Sequence, residues 1–526
     1  MSERRSFYRK VAYCVAIAVL WFPLSYMSSP ATVDSPGGTL AQLRTKHRLS
    51  QADLGEIDPA SETIKLATLG LRGLAVNLLW NKATHYKKVE DWTNLAATLE
   101  QLSKLQPNFV TFWKFQSWNL SYNVSVEFDD YHDRYYWVRR GIQFLQQGAR
   151  YNRDNPVLLK ELGWVNGQKI GRSDEKKQYR RLYKADEVFH PEDRAPRDRD
   201  NWVVSKEYYL DSIAAIDEKG RDLGKMSPSL FYSSAPKSQM SYAEAIENDG
   251  LFDQAVGEWR EGEEEWIAYG DIPIEHSTGP ILRFNDEEEL AEEAERLNEQ
   301  LVGMSEGVED RLLEKSRAEL SAEQLAAYDT PESERTEEEW GLASRAEVLL
   351  RLTPMKIAQQ IAEEDPDKRR DALELASTLV DVERRKRFTE NYKETVNFDY
   401  WLLRCQFEQS DEAVAARELV YRAHRAFDEE ADPFTAKGLY EEAFHKWAAV
   451  FEKFPELKNP GGTTGDDVAF IIYDYKKVID QLDENFPDDF PLWEIVENFD
   501  SERKLVGELQ AWKIATGAAE PEAAQE

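Results

Sequence analysis

The chain has 526 residues, 41% of them hydrophobic and 31% charged, a composition that supports packed cores and excludes a wholly disordered chain. Its 66 basic and 99 acidic residues leave a formal charge of −33, which argues against sequence-independent nucleic-acid binding and against docking of the soluble body on anionic headgroups. Two cysteines, Cys14 and Cys405, exclude a disulfide framework and a cysteine-based structural zinc site.

Residues 1–10 form a basic flank with Arg4, Arg5, Arg9 and Lys10, and residues 11–27 follow with no charge at all. Seventeen uncharged, mostly apolar residues behind such a flank predict a transmembrane signal anchor, slightly short for a bilayer and weakened at Pro23. The competing expectation is a cleaved signal peptide, for which the SSPAT segment is a poor cleavage site. Either one exports the body, leaving it on a single-pass membrane tether or secreted. Residues 28–60, with Pro30, Pro36, Gly37, Gly38 and Pro59, read as a polar linker.

Beyond residue 60 helix-period patterns dominate and no βαβ rhythm occurs, so the expected class is all-α. Repetition carries the most information. Gly250-Leu251-Phe252, Ala255 and Trp259 match Gly438-Leu439-Tyr440, Ala443 and Trp447 at identical spacing. Glycine lets the chain turn between antiparallel helices, alanine lets them cross closely, and tryptophan covers the groove one turn on. Ala243 is the small contact on the helix before Gly250, and Pro455 stops the helix after Trp447. Residues 76–109 follow the same frame with Ala83, Tyr86, Leu95, Leu99, Leu102 and Pro107, although Glu90 stands at the turn and Leu95 replaces the alanine. A further pair is expected over 134–156 and 157–167, with Pro156 closing the unit and Gly163 as its small residue.

This arrangement resembles the tetratricopeptide (TPR) repeat, over perhaps half of the body. The two best copies lie 188 residues apart, which is not a multiple of the family period of about 34, so insertions must interrupt the array. The resemblance implies antiparallel hairpins stacked as an irregular solenoid, with a protein or peptide partner held by successive first helices. The expected segments are TPR-like helices at 61–171, a charged insertion at 172–237, a TPR-like hairpin at 238–285, an acidic helical segment at 286–387, a TPR-like block at 388–458, C-terminal helices at 459–516 and a disordered tail at 517–526. Within the insertion, residues 172–200 read as a long solvated loop. Residues 286–340 hold 20 acidic and 5 basic residues on one or two amphipathic helices whose acidic face is expected to be solvated.

Reactive constellations are sparse. There is no G-x-G-x-x-G, no Walker-type loop and no G-x-S-x-G elbow. GGTTG at 461–465 lacks the lysine and the helix start of a phosphate cradle, and Cys405 reads as a small packed residue. Asp129, Asp130, His132 and Asp133 form the best local metal cluster, but an N-cap before the following helix accounts for them equally simply. His190 before Pro191 is weaker. Phe112, Trp113, Phe115, Trp118 and Tyr122 could line a groove for a peptide or sugar, although their spacing puts most of them on one buried face. The Asn119 and Asn123 sequons matter only in a glycosylating pathway. No catalytic, metal or cofactor residue is assigned. The expectation is a non-catalytic, membrane-anchored scaffold for an unidentified protein or peptide. The alternative is a hydrolase or lyase acting on an envelope polymer, which should gather two or more shifted carboxylates in one deep cleft.

Overall fold

The computed structural model describes residues 36–46, 72–275, 279–459, 462–487, 489–501 and 503–515, with scattered positions between 13 and 27. Most of the expected anchor and linker, and all of the tail, lie outside the described residues. No helix among the described residues is long and apolar enough to cross a membrane. The fold is all-α; the described residues contain no strand beyond a single bridge between Ile274 and Leu282. The chain forms two compact units that divide after Lys225, and a short helix, α1 (Thr39–Lys46), belongs to the first.

The first unit is a run of helix pairs. α2 (Arg72–Lys88) turns into α3 (Trp92–Leu105) through Glu90, which holds the left-handed conformation at φ 57°. The Asp91 carboxylate caps α3 by accepting the Asn94 N–H at 3.1 Å. Leu95, Leu99 and Leu102, spaced four and three apart, are all buried, as is Ala83 of α2. Each such leucine contributes roughly 1.5–3 kcal/mol of transfer free energy.

α4 (Val110–Trp118) continues as a π-helical turn, Asn119–Val124, and pairs with α5 (Tyr131–Tyr151). They meet so closely that a Cβ on Gly148 would lie 2.5 Å from the Trp113 ring. The buried Trp113 donates its indole N–H to the Pro107 carbonyl at 2.7 Å. α6 (Pro156–Trp164) also continues as a π turn, Val165–Lys169, and pairs with α8 (Asn201–Asp217). Pro156 occupies the first turn of α6, so it opens this helix and does not close the preceding one. The expected loop at 172–200 contains α7 (Lys176–Ala185). Tyr179 and Tyr183, four residues apart, are buried and give that charged helix an apolar side.

In the second unit α9 (Pro228–Tyr232) and α10 (Ser234–Glu247) lead to α11 (Phe252–Gly270). Gly250 makes the α10–α11 turn at φ 81°, and Ala243, Ala255 and Trp259 are buried as the repeat requires. The acidic segment forms α12 (Glu287–Gly303), α13 (Val308–Ala318), α14 (Ala322–Asp329) and α15 (Glu337–Leu350). α16 (Pro354–Glu364) and the long α17 (Arg369–Val396) follow. Leu290, Leu297, Leu301 and Leu312 pack with Ile357, Ile361 and Leu379, while most of the carboxylates face water.

α18 (Phe398–Glu408) packs on α11, and α19 (Asp411–Asp428) pairs with α20 (Pro433–Lys453). Ala443 and Trp447 are fully buried, but Gly438 is not a turn residue. Asp432 caps α20 and Pro433 opens it, so the helix starts before the glycine; the left-handed residue of this hairpin is Ala431, at φ 54°. α21 (Thr464–Gln481), α22 (Trp493–Phe499) and α23 (Val506–Ala515) complete the unit.

Candidate functional site

The first helix of each pair in the first unit brings aromatic side chains to one row. Trp80 of α2 lies 6.0 Å from Phe115 of α4, centroid to centroid. Phe115 lies 6.2 Å from Trp118, Trp118 lies 6.2 Å from Tyr122, and Tyr122 lies 5.7 Å from Trp164 of α6. Trp80, Phe115, Trp118 and Trp164 are 37–47% exposed. The expectation that this aromatic helix is mostly core therefore holds only in part. Phe112 and Trp113 are buried, but Phe115, Trp118 and Tyr122 form a second stripe at spacings of three and four, and that stripe meets other rings and solvent. Helical spacing identifies a shared face but does not say whether the face is covered.

Lysines border the row. Lys87 donates to Asn119 Oδ1 at 2.8 Å, and Lys114 pairs with Glu161 at 2.8 Å. Lys169, supplied by the second π turn, puts its ammonium 4.7 Å from the Tyr122 centroid and 5.9 Å from that of Tyr179. It is 5% exposed and makes no hydrogen bond or ion pair with a described residue. Burial holds its pKa below the usual lysine value, partly offset by the charge of Glu175. π turns recur at functional sites, and here one carries Tyr122 and the other Lys169.

In the second unit both repeat tryptophans lead to a buried ionic junction. Trp259 donates its indole N–H to Glu247 Oε1 at 2.6 Å, and the Arg404 guanidinium lies 5.7 Å from the Trp259 ring. Arg417 binds Glu408 through two nitrogens, at 2.5 and 3.2 Å, and lies 4.8 Å from the Trp447 ring. Arg404 reaches Asp467 at 3.4 Å, while its Nε, without a hydrogen bond, is 3.7 Å from Glu408. Burial, then the charge of Glu408, push the Glu247 carboxyl up to about 8, against the pull of Arg417, the Trp259 N–H and Arg404. Burial also raises Asp467. Glu244, Glu408 and Asp467 are the acidic neighbours that favour the charge of Arg404, and Glu408 foremost that of Arg417. Two shifted carboxylates thus do gather, but around hairpin-filling tryptophans rather than in a cleft. The open spaces lie elsewhere, as grooves of 460, 430 and 330 Å³ in the first unit, the latter two both lined by α5 residues and sharing Arg150.

The remaining candidates have local explanations. Asp130 caps α5, accepting the His132 N–H at 2.8 Å, and Asp129, His132 and Asp133 are exposed beside it. No group of three or more potential metal ligands occurs among the described residues. His190 is 1% exposed, packs edge-on to Tyr183, and has neither ring nitrogen hydrogen-bonded. Burial, helped by Arg194 and Arg199, brings its pKa down to about 4. Cys405 is buried and its thiol pKa is raised by that burial. Contrary to expectation, a helix does begin within GGTTG, at Thr464, but the Tyr400 hydroxyl accepts the Thr463 N–H at 2.8 Å. Asn119 is buried and holds Lys87 and Asn123, which closes it to glycosylation.

Comparison with protein-family models, with curated proteins and with solved structures returned no match.

Proposed function

We propose that this protein is a non-catalytic, TPR-like helical-repeat scaffold, exported and tethered to a membrane through residues 11–27, which holds a protein or peptide partner on the aromatic row of its first unit. The observation that carries this is the row itself: half-exposed rings on the first helices of three successive pairs, at 5.7–6.2 Å intervals. Rigid aromatic side chains present large contact area at small entropic cost, which makes them the usual anchors of protein interfaces. The irregular solenoid follows from insertions such as 286–340, which lies between the two pairs that share the alanine and tryptophan spacing. Recognition through the row requires no bond to be made or broken.

The test is co-purification from the native membrane. Trp118→Ala with Trp164→Ala should release a protein that the unaltered chain retains, with the helical circular dichroism unchanged. Retention of the same protein by the folded double variant would remove the row from the account.

A further inference from the structure

Among the described residues the run of helix pairs starts on an unusual helix, α2. A terminal repeat ordinarily presents a polar outer face, because no neighbour covers it. α2 does not: Leu74 is 58% exposed and Leu78 62%, and Val89, just past its end, is 56% exposed. The leucines stand one turn apart, and His85 and Val89 continue the same side by helical register. Trp80 lies on the other side of the helix, where it joins the aromatic row, so this apolar face is separate from that site.

Its charge is also unlike the rest of the chain. No acidic residue occurs from Thr63 to Val89, whereas Lys65, Arg72, Lys82, Lys87 and Lys88 do. Beyond the uncharged run, residues 28–126 carry 10 basic and 8 acidic residues, while the whole chain stands at −33. Overall acidity therefore conceals a basic, apolar start. Between the uncharged run that ends at Met27 and the start of α2 there are 44 residues, Ser28 to Leu71, and α2 is the next helix after α1 among the described residues.

We propose that the outer face of α2 docks on an anionic lipid surface, with Leu74, Leu78 and Val89 entering the interface and Lys82 and Lys88 reaching the headgroups. Apolar residues flanked by lysine favour this boundary, where the aliphatic stems lie in the apolar layer and the ammonium groups in the polar one. Attraction falls off within a Debye length, so the acidic body is repelled only where it approaches the surface. The inference rests on the tether reading of residues 11–27 for its local concentration, which turns a weak contact into an intramolecular one. Docking by α2 would hold the first unit against the bilayer and leave the row on the opposite side of the helix.

The experiment uses the full chain with Cys14→Ser, an environment-sensitive fluorophore on Leu78→Cys, and a control label on Gln359→Cys, an exposed site in the second unit. Vesicles of phosphatidylcholine, with or without about one-third phosphatidylglycerol, are compared. The expected result is a blue-shifted label at 78, quenched by spin-labelled lipid, only when phosphatidylglycerol is present; the control stays in water. Lys82→Gln with Lys88→Gln should lower the docking equilibrium constant by ~25-fold, at ~5-fold per lysine. A shift at 78 without phosphatidylglycerol means that residues 47–71 or another protein surface cover the face, and overturns the proposal. A water-exposed label at 78 on phosphatidylglycerol vesicles overturns it too. Extraction by alkaline carbonate reads the tether separately: a chain that washes off yet shows the lipid-dependent shift defeats the tether and leaves the docking standing.

Discussion

Glu247→Gln isolates the energetics of the ionic junction. The folded chain holds a proton on Glu247 up to about pH 8, against an ordinary value of 4.5. Above the ordinary value the unfolded chain releases that proton while the folded chain retains it. Stability supplied by this group is therefore present below that pH and lost as pH rises toward 8. At 1.36 kcal/mol per pKa unit the loss is of order 5 kcal/mol across the window. Glutamine cannot ionise, yet its carbonyl can still accept the Trp259 indole N–H. Urea unfolding followed by tryptophan fluorescence at pH 5.5, 7 and 8.5 measures both proteins. The unaltered chain should lose several kcal/mol more than the variant between the extremes, and the variant should be the more stable at pH 8.5. Parallel profiles would refute the assignment of a buried, protonated Glu247.

Trp259→Phe should cost about 1 kcal/mol more than Trp447→Phe, because only the first leaves a buried carboxyl without its donor; the Trp447 indole N–H has no partner to lose. Denaturant midpoints decide the order. Gly250→Ala should cost more than 1 kcal/mol, since the residue sits at φ 81° and the added Cβ meets Tyr421 at 2.9 Å, whereas Glu90→Gly should stabilise by roughly 0.5–1 kcal/mol. Thermal unfolding of both variants checks the opposite signs. Lys169→Met should leave the melting temperature equal or higher, because it removes a buried ammonium that has no hydrogen bond to a described residue; a fall of several degrees would mean that contact with the two tyrosine rings outweighs the desolvation cost.

The all-α class, the buried leucines of α3 and the alanine and tryptophan positions were legible because each depends on helical period and side-chain size alone. Glu90 was legible as a turn residue even without glycine, since its place in the frame outweighed its type. Gly438 is misleading because glycine is a common turn marker, whereas the Asp432-Pro433 pair before it is the stronger start signal. Charge concealed α7, whose apolar side is carried by Tyr179, Leu182 and Tyr183 among five basic residues. The aromatic row could be found in part: the spacing of Phe115, Trp118 and Tyr122 is visible, but Trp80 and Trp164 join it only through pairing of helices distant in sequence. The ionic junction draws Glu247, Arg404, Glu408, Arg417 and Asp467 from four helices, and among 99 acidic residues no local pattern distinguishes these.

The most direct measurement of the central claim is site-specific photo-crosslinking in the intact membrane. p-Benzoylphenylalanine at Phe115 and at Trp164 replaces one ring with another, and the same group at Gln359 serves as the control. The row as a partner-holding surface requires one and the same protein adduct from 115 and 164 and none from 359. Different adducts from the two row positions, or no protein adduct from either, would contradict it.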